Sequence, residues 1–242
     1  MTETAITVSY ALSFLGLLAG VGVALALLRD ETVDSSKGAF GWLLVIPGFA
    51  ALSYLFMTLE VGVVSVGGDE VYLFRYIDWV ITTPLLVAYV GYVAGAPRKW
   101  VVGVGLADAG MILVGLGATL ATGIATWVGF GISAGFHVVL LGILYLIFPR
   151  VANENRERYR LFEILRNHVG LLWLAYPVVW LTSPAGLDVV SAVGAAMVIA
   201  YLDLVAKTPY VYFVWAERAS FAEEPVVADS GAEEATAVAA GD

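Results

Sequence analysis

The sequence predicts an all-α membrane protein: a bundle of seven transmembrane helices, with a short β-hairpin between the second and the third. Composition gives the first observation. Of the 242 residues 60% are hydrophobic and only 14% charged, and the mean hydropathy of +0.88 fits a polytopic membrane protein rather than a soluble core. Length gives the second: apolar runs of the roughly 20 residues that cross a hydrocarbon layer recur seven times. Basic residues give the third, because ten of the twelve lie at alternate breaks between those runs.

The spans run roughly over 5–28, 39–60, 72–95, 100–121, 125–148, 160–182 and 187–216. Polar or Gly- and Pro-rich breaks separate them: RDETVDSSKG, SVGGDE, GAPRKW, ATGIAT, PRVANENRERYR and TSPAG. Connections this short imply antiparallel neighbours, and most of the 26 glycines read as helix-contact residues. Arg29, Lys37, Arg98, Lys99, Arg150, Arg156, Arg158, Arg160, Arg166 and Arg218 share one face. The positive-inside rule makes that face cytoplasmic, so the N-terminus is expected outside and the C-terminus inside. Between the second and third spans, VGVVSVGGDEVYL alternates small or polar residues with valine, which predicts a hairpin turning at Gly67-Gly68 on the outer surface.

The formal net charge is −9, and 6 of the 21 acids fall in the last 24 residues. Residues 1–219 are read as one domain, and 220–242, rich in Ala, Glu and Val, as an acidic disordered cytoplasmic tail. The first span lacks a basic leader before it and is expected to remain in the membrane. The absence of cysteine excludes disulfides, thiol catalysis and thiolate metal sites. Nucleic acid is not an expected partner, because the basic residues lie at membrane edges. No metal site and no enzyme activity are read; whether the chain forms a homo-oligomer is left open.

Two basic residues remain, Arg75 and Lys207, both inside the bundle. A lysine at mid-membrane depth costs about 2.5–3.5 kcal/mol on insertion scales and points to function. Lys207 lies too deep in AYLDLVAKTPYVYF to snorkel easily, and an amine kept from water is a nucleophile suited to an imine. A protonated imine needs counterions. Asp203, four residues earlier on the same helical face, can pair with it. Asp78, in FRYIDWVITTPLL, can supply a second carboxylate balanced by Arg75. The competing account is a structural ion pair. Residues 75, 78, 79 and 82 share a face, so Thr82 can hydrogen-bond Asp78, and Pro84 predicts a kink nearby. The sixth span carries aromatics at the same spacing, Trp173, Tyr176 and Trp180 with Pro177. In a bundle with a buried lysine, they suggest a flat conjugated ligand held between rings.

RYIDWVITTPLL, LLWLAYPVVW and YLDLVAKTPY resemble the third, sixth and seventh helices of the microbial rhodopsins, seven-helix retinal proteins, and the likeness covers all seven spans. The resemblance implies all-trans retinal held by Lys207 as a protonated Schiff base. It makes Asp78 the counterion and proton acceptor, Asp203 the second carboxylate, and Arg75 the outward arginine. It places Trp79, Thr82, Thr83, Met111, Gly115, Phe130, Ser133, Trp173, Tyr176, Pro177 and Trp180 around the chromophore, with Tyr176 also bonding Asp203. Asp108 would lie near the pocket, and Tyr54 at a further polar position.

The carboxylate at Asp78 disfavours a chloride pump. The proton donor that fast pumps carry eleven residues later is here Tyr89, a phenol titrating near about 10, and the outer glutamate pair falls at Ala185 and Ala195. Slow reprotonation suits a receptor. Within the family, LRNHVGLLWLAYPVVWL and AKTPYVYF resemble the sensory rhodopsin I branch, haloarchaeal phototaxis receptors, with Ala206 rather than threonine before the lysine. The expectation is a phototaxis photoreceptor in the cell membrane. Proton transfer to Asp78 would release a tilt of the sixth helix, read by a two-helix methyl-accepting transducer. His168 would serve signalling and Tyr201 would face the transducer. The alternative is a light-driven outward proton pump with a slow photocycle.

Overall fold

A computed structural model of the chain describes residues 2–31, 37–152 and 157–221. Among these, seven helices are long and apolar enough to cross a membrane. They are α1 (Thr2–Leu28), α2 (Lys37–Thr58), α3 (Leu73–Val93), α4 (Arg98–Leu120), α5 (Ile124–Ala152), α6 (Tyr159–Thr182) and α7 (Ala192–Ala216). Each packs on its sequence neighbour and α7 closes against α1, while α3 also touches α6 and α2 touches α7. Such a closed ring gives every helix an inner face. Polar side chains that cannot face lipid collect there.

The expected hairpin is present. β1 (Val63–Val66) pairs antiparallel with β2 (Asp69–Tyr72), with Val63 opposite Tyr72 and Val66 opposite Asp69. Gly67 and Gly68 turn the chain at φ +64° and +102°, the two left-handed residues of a type I′ turn. The hairpin marks one end of the bundle; the described basic residues of the breaks mark the other.

Several boundaries differ from the sequence reading. α7 begins at Ala192 rather than 187, because Leu187–Ser191 is an irregular turn with Asp188 at φ +53°. Ser191 caps the helix, its hydroxyl accepting the Gly194 N–H at 3.1 Å. α5 passes through a π-helical turn at Ile143–Ile147, where the Tyr145 ring lies against Gly170 of α6 so closely that a Cβ would strike it. α6 is interrupted at Leu174. Pro177 lacks the N–H that would bond the Trp173 carbonyl, which accounts for a break one turn before the proline. α3 continues as one helix through Pro84.

The packed chain reaches Phe221, two residues past the expected boundary. Arg218–Phe221 forms a 3₁₀ turn in which Phe221 meets Phe40 edge-on at 5.2 Å and lies under the Arg158 guanidinium at 4.4 Å. Arg218 pairs with Asp30 at 2.6 Å. The expected tail from 222 onward lies outside the described residues, as does Arg156.

Candidate functional site

Among the described residues, four ionisable side chains lie at 0 or 1% exposure in the interior: Asp78, Asp108, Asp203 and Lys207. A buried charge persists when paired or hydrogen-bonded, so their partners define the site.

Lys207, nine residues before the end of α7, forms an ion pair from Nζ to Asp78 Oδ2 on α3. The other oxygen, Asp78 Oδ1, accepts from the Thr82 hydroxyl at 3.0 Å, as the one-turn spacing predicts. Asp203 departs from expectation. It makes no ion pair with Lys207, although the two share a helical face. Its oxygens accept from Tyr54 of α2 at 2.7 Å, Tyr176 of α6 at 2.8 Å and the Trp79 indole of α3 at 3.0 and 3.1 Å. Three neutral donors from three helices aim the carboxylate across the bundle.

Arg75 also departs. Among the described residues no carboxylate lies within ion-pairing distance of it. It donates to the Tyr10 hydroxyl at 2.7 Å and sits over the Tyr10 and Tyr72 rings at 5.8 and 6.0 Å. It therefore stands toward the hairpin, one turn beyond Asp78, without neutralising either acid by contact.

Beside these groups runs a cavity between flat rings. Of the pocket residues expected from the sequence, Trp79, Thr83, Met111, Gly115, Phe130, Ser133, Trp173, Tyr176, Pro177 and Trp180 all line it. Thr82 does not; it serves Asp78 instead. Trp180 stacks on Phe130 with ring centroids 4.5 Å apart and planes 9° off parallel. Trp79 meets Tyr176 edge to face at 5.3 Å. Ser133 is turned aside, donating to the Met111 carbonyl at 3.0 Å. Thr83 reaches Asp108 at 2.5 Å, tying α3 to α4 behind the cavity. The slot adjoins Asp203, because Trp79 and Tyr176 of its wall both donate to that carboxylate, while Asp78 and Lys207 are not among its lining residues.

Some members of the wall escaped the sequence reading. His137 lines the cavity, and its Nε2 is buried without a hydrogen-bond partner. Tyr76 lines it as well. Both carried a signal: His137 lies four residues after Ser133, and Tyr76 three before Trp79, each on a face already marked.

His168 and Tyr201 lie apart from the cavity. The His168 ring packs edge-on to Phe213 at 5.2 Å, with Nε2 3.3 Å from the Ala206 carbonyl, the residue before Lys207. The Val205 carbonyl lies beside the same ring, and Pro209 deprives that carbonyl of its helical donor. His168 thus occupies an α6–α7 contact adjacent to the lysine. Tyr201 is 64% exposed on the outer surface of α7. Tyr89, at the place of the pumps' donor, is fully buried, with its hydroxyl unpartnered among aromatic rings.

A seven-helix bundle with a buried lysine–aspartate pair beside an aromatic slot has the arrangement of a retinal protein. A family described as bacteriorhodopsin-like protein matches residues 4–221, and the chain belongs to that family. It is 47% identical over 232 residues to sensory rhodopsin-1 of Halobacterium sp. (strain SG1), covering 96% of this chain and 94% of that one. It is 49% identical to a sensory rhodopsin of Halorubrum sodomense, covering 90% and 85% respectively. Among solved structures, thermophilic rhodopsin from Rubrobacter xylanophilus superposes with a TM-score of 0.84 at 29% identity, over 90% of this chain and 97% of that one. The protein is a multi-pass membrane protein, and its family implies a retinal chromophore. The residues fit one: the slot offers flat rings on several sides, two of them hold Asp203, and Lys207 lies one helical turn from Asp203 with the Asp78 carboxylate at its amine.

Proposed function

We propose that the protein is a phototaxis photoreceptor carrying all-trans retinal on Lys207. The observation that carries this reading is the contact of Lys207 Nζ with Asp78, one turn along α7 from the Asp203 carboxylate that Trp79 and Tyr176 of the aromatic slot hold. Retinal bound there supplies the light-driven isomerisation and a cationic nitrogen at Lys207.

The chain's own residues do the rest. Asp78 Oδ2 offsets the cation in the dark and accepts its proton after light, while Thr82 fixes the carboxylate's other oxygen. Trp79, Trp173, Tyr176 and Trp180 would hold the chromophore between rings. Tyr54, Trp79 and Tyr176 keep Asp203 in place as the second carboxylate. Arg75 supplies positive charge on the hairpin side. The basic end faces the cytoplasm by the positive-inside rule, with the hairpin outside and the chain after Phe221 an acidic cytoplasmic tail.

Loss of the Lys207–Asp78 attraction removes a tie between α3 and α7. The interruption at Leu174 is where α6 can swing, and the His168 contact with α7 feels the movement first. A two-helix methyl-accepting transducer packed against α6 and α7, with Tyr201 in its interface, would respond to the new position of α6 by population shift. Tyr89 supports a sensor over the rival, a slow outward pump, because a phenol among rings is a poor source for rapid reprotonation.

Flash photolysis of the purified protein with retinal tests the reading. A deprotonated state lasting hundreds of milliseconds or longer is expected. Millisecond decay with sustained acidification by lipid vesicles would favour the pump instead.

A further inference from the structure

We infer that Thr119, on α4, is a positioning residue that seals the chromophore cavity from a second cavity at the hairpin end, whose wall carries charged residues. The inference rests on the retinal reading of the first cavity. The second cavity is lined by Arg75, Asp69, Glu70, Thr126, Ser183 and Thr119 itself. Three side chains line both cavities, Tyr76, Trp180 and Ile199, and they are therefore the partition.

Two of these three partition residues are held by one atom. The Trp180 indole N–H donates to Thr119 Oγ1 at 2.9 Å, and the Tyr76 hydroxyl lies 2.8 Å from the same oxygen. The Thr119 hydroxyl in turn donates to the Gly115 carbonyl at 3.1 Å. A threonine hydroxyl has one hydrogen and two lone pairs. With the hydrogen committed to Gly115, Tyr76 must be the donor in its contact, and every hydrogen-bonding position on Oγ1 is filled. α3, α4 and α6 thus meet at a saturated oxygen.

The consequence for the chromophore is geometric. Phe130 fixes the face of the Trp180 indole by stacking at 4.5 Å, and Thr119 fixes its N–H edge. Together they determine where the wall of the slot stands. Without the hydroxyl, two donors at the partition lose their acceptor beside the second cavity. Water then becomes their partner, and the partition opens into the chromophore cavity. A role in packing alone would be preserved by valine, which has the shape of threonine; a role in sealing would not.

The test uses the full chain in lipid with retinal, as wild type, Thr119→Val and Thr119→Ser. Hydroxylamine in the dark removes retinal as its oxime at a rate set by access to the imine. Thr119→Val should bleach at least about tenfold faster, because two buried donors lose their acceptor, and Thr119→Ser should bleach like wild type. The indole N–H resonance of Trp180, assigned with Trp180→Phe, should move in Thr119→Val and stay in Thr119→Ser. Equal bleaching in the wild type and Thr119→Val, or bleaching of Thr119→Ser as fast as that of Thr119→Val, would overturn the inference. If Thr119→Val holds too little pigment to time, an unmoved indole resonance would overturn it. A wild-type chain that stays colourless with retinal would defeat the retinal reading instead, and so the two failures are distinguishable.

Discussion

Asp78 and Asp203 are both buried carboxylates at the centre of one bundle, yet they are held in opposite ways. Asp78 leans on a cation and one hydroxyl, whereas Asp203 is gripped by two phenols and an indole with no cation in contact. Protonation of Asp78 would dissolve an ion pair and leave one hydrogen bond. Protonation of Asp203 would set a new donor among three existing donors. The acid that can change state cheaply is the one whose partner can lose its proton in the same event. On the proposed function, Asp78 would serve as the acceptor and Asp203 as the carboxylate that stays in place.

Substitutions sharpen that contrast. Lys207→Ala should have the largest effect and abolish the visible chromophore, read as absorbance after retinal addition; a surviving pigment would break the account. Asp78→Asn comes next. It removes the carboxylate charge paired with Lys207, and unit charges ~4 Å apart attract by about 4 kcal/mol at an effective dielectric of 20. Absorption should shift to the red and light-driven proton release should stop, whereas an unchanged spectrum would remove Asp78 as the counterion. Asp203→Asn should keep a pigment but weaken it, since an amide presents donors to donors at a cost of about 1–3 kcal/mol; thermal bleaching would measure the loss. Tyr54→Phe and Tyr176→Phe each delete one donor and should cost about 1 kcal/mol in the same assay. The smallest effect belongs to Thr82→Val, a slight spectral shift with proton transfer retained.

Much of this was legible in the chain. Charge and hydropathy periods placed all seven helices, because a bilayer demands length and excludes charge so strictly. Gly67-Gly68 announced its turn because only that pair reaches the required backbone angles cheaply. The aromatic wall could be read from one helical face on each of α3 and α6. The pairing of Asp203 could not. Helical spacing places it beside Lys207, but the partners that win come from α2, α3 and α6, and no local pattern reports a cross-bundle donor. Thr119 was silent for the same reason: a lone threonine in an apolar run has no pattern until the helices bring Trp180 and Tyr76 to it. The late start of α7 was hidden because LDVV is as apolar as a span, and only the Ser191 cap distinguishes turn from helix.

The division of labour between the two acids can be watched directly by time-resolved infrared spectroscopy in the region of protonated carboxyl groups. A new carboxyl band should rise as the nitrogen at Lys207 loses its proton, vanish in Asp78→Asn, and persist in Asp203→Asn. A band that survived in Asp78→Asn, or disappeared only in Asp203→Asn, would contradict the assignment.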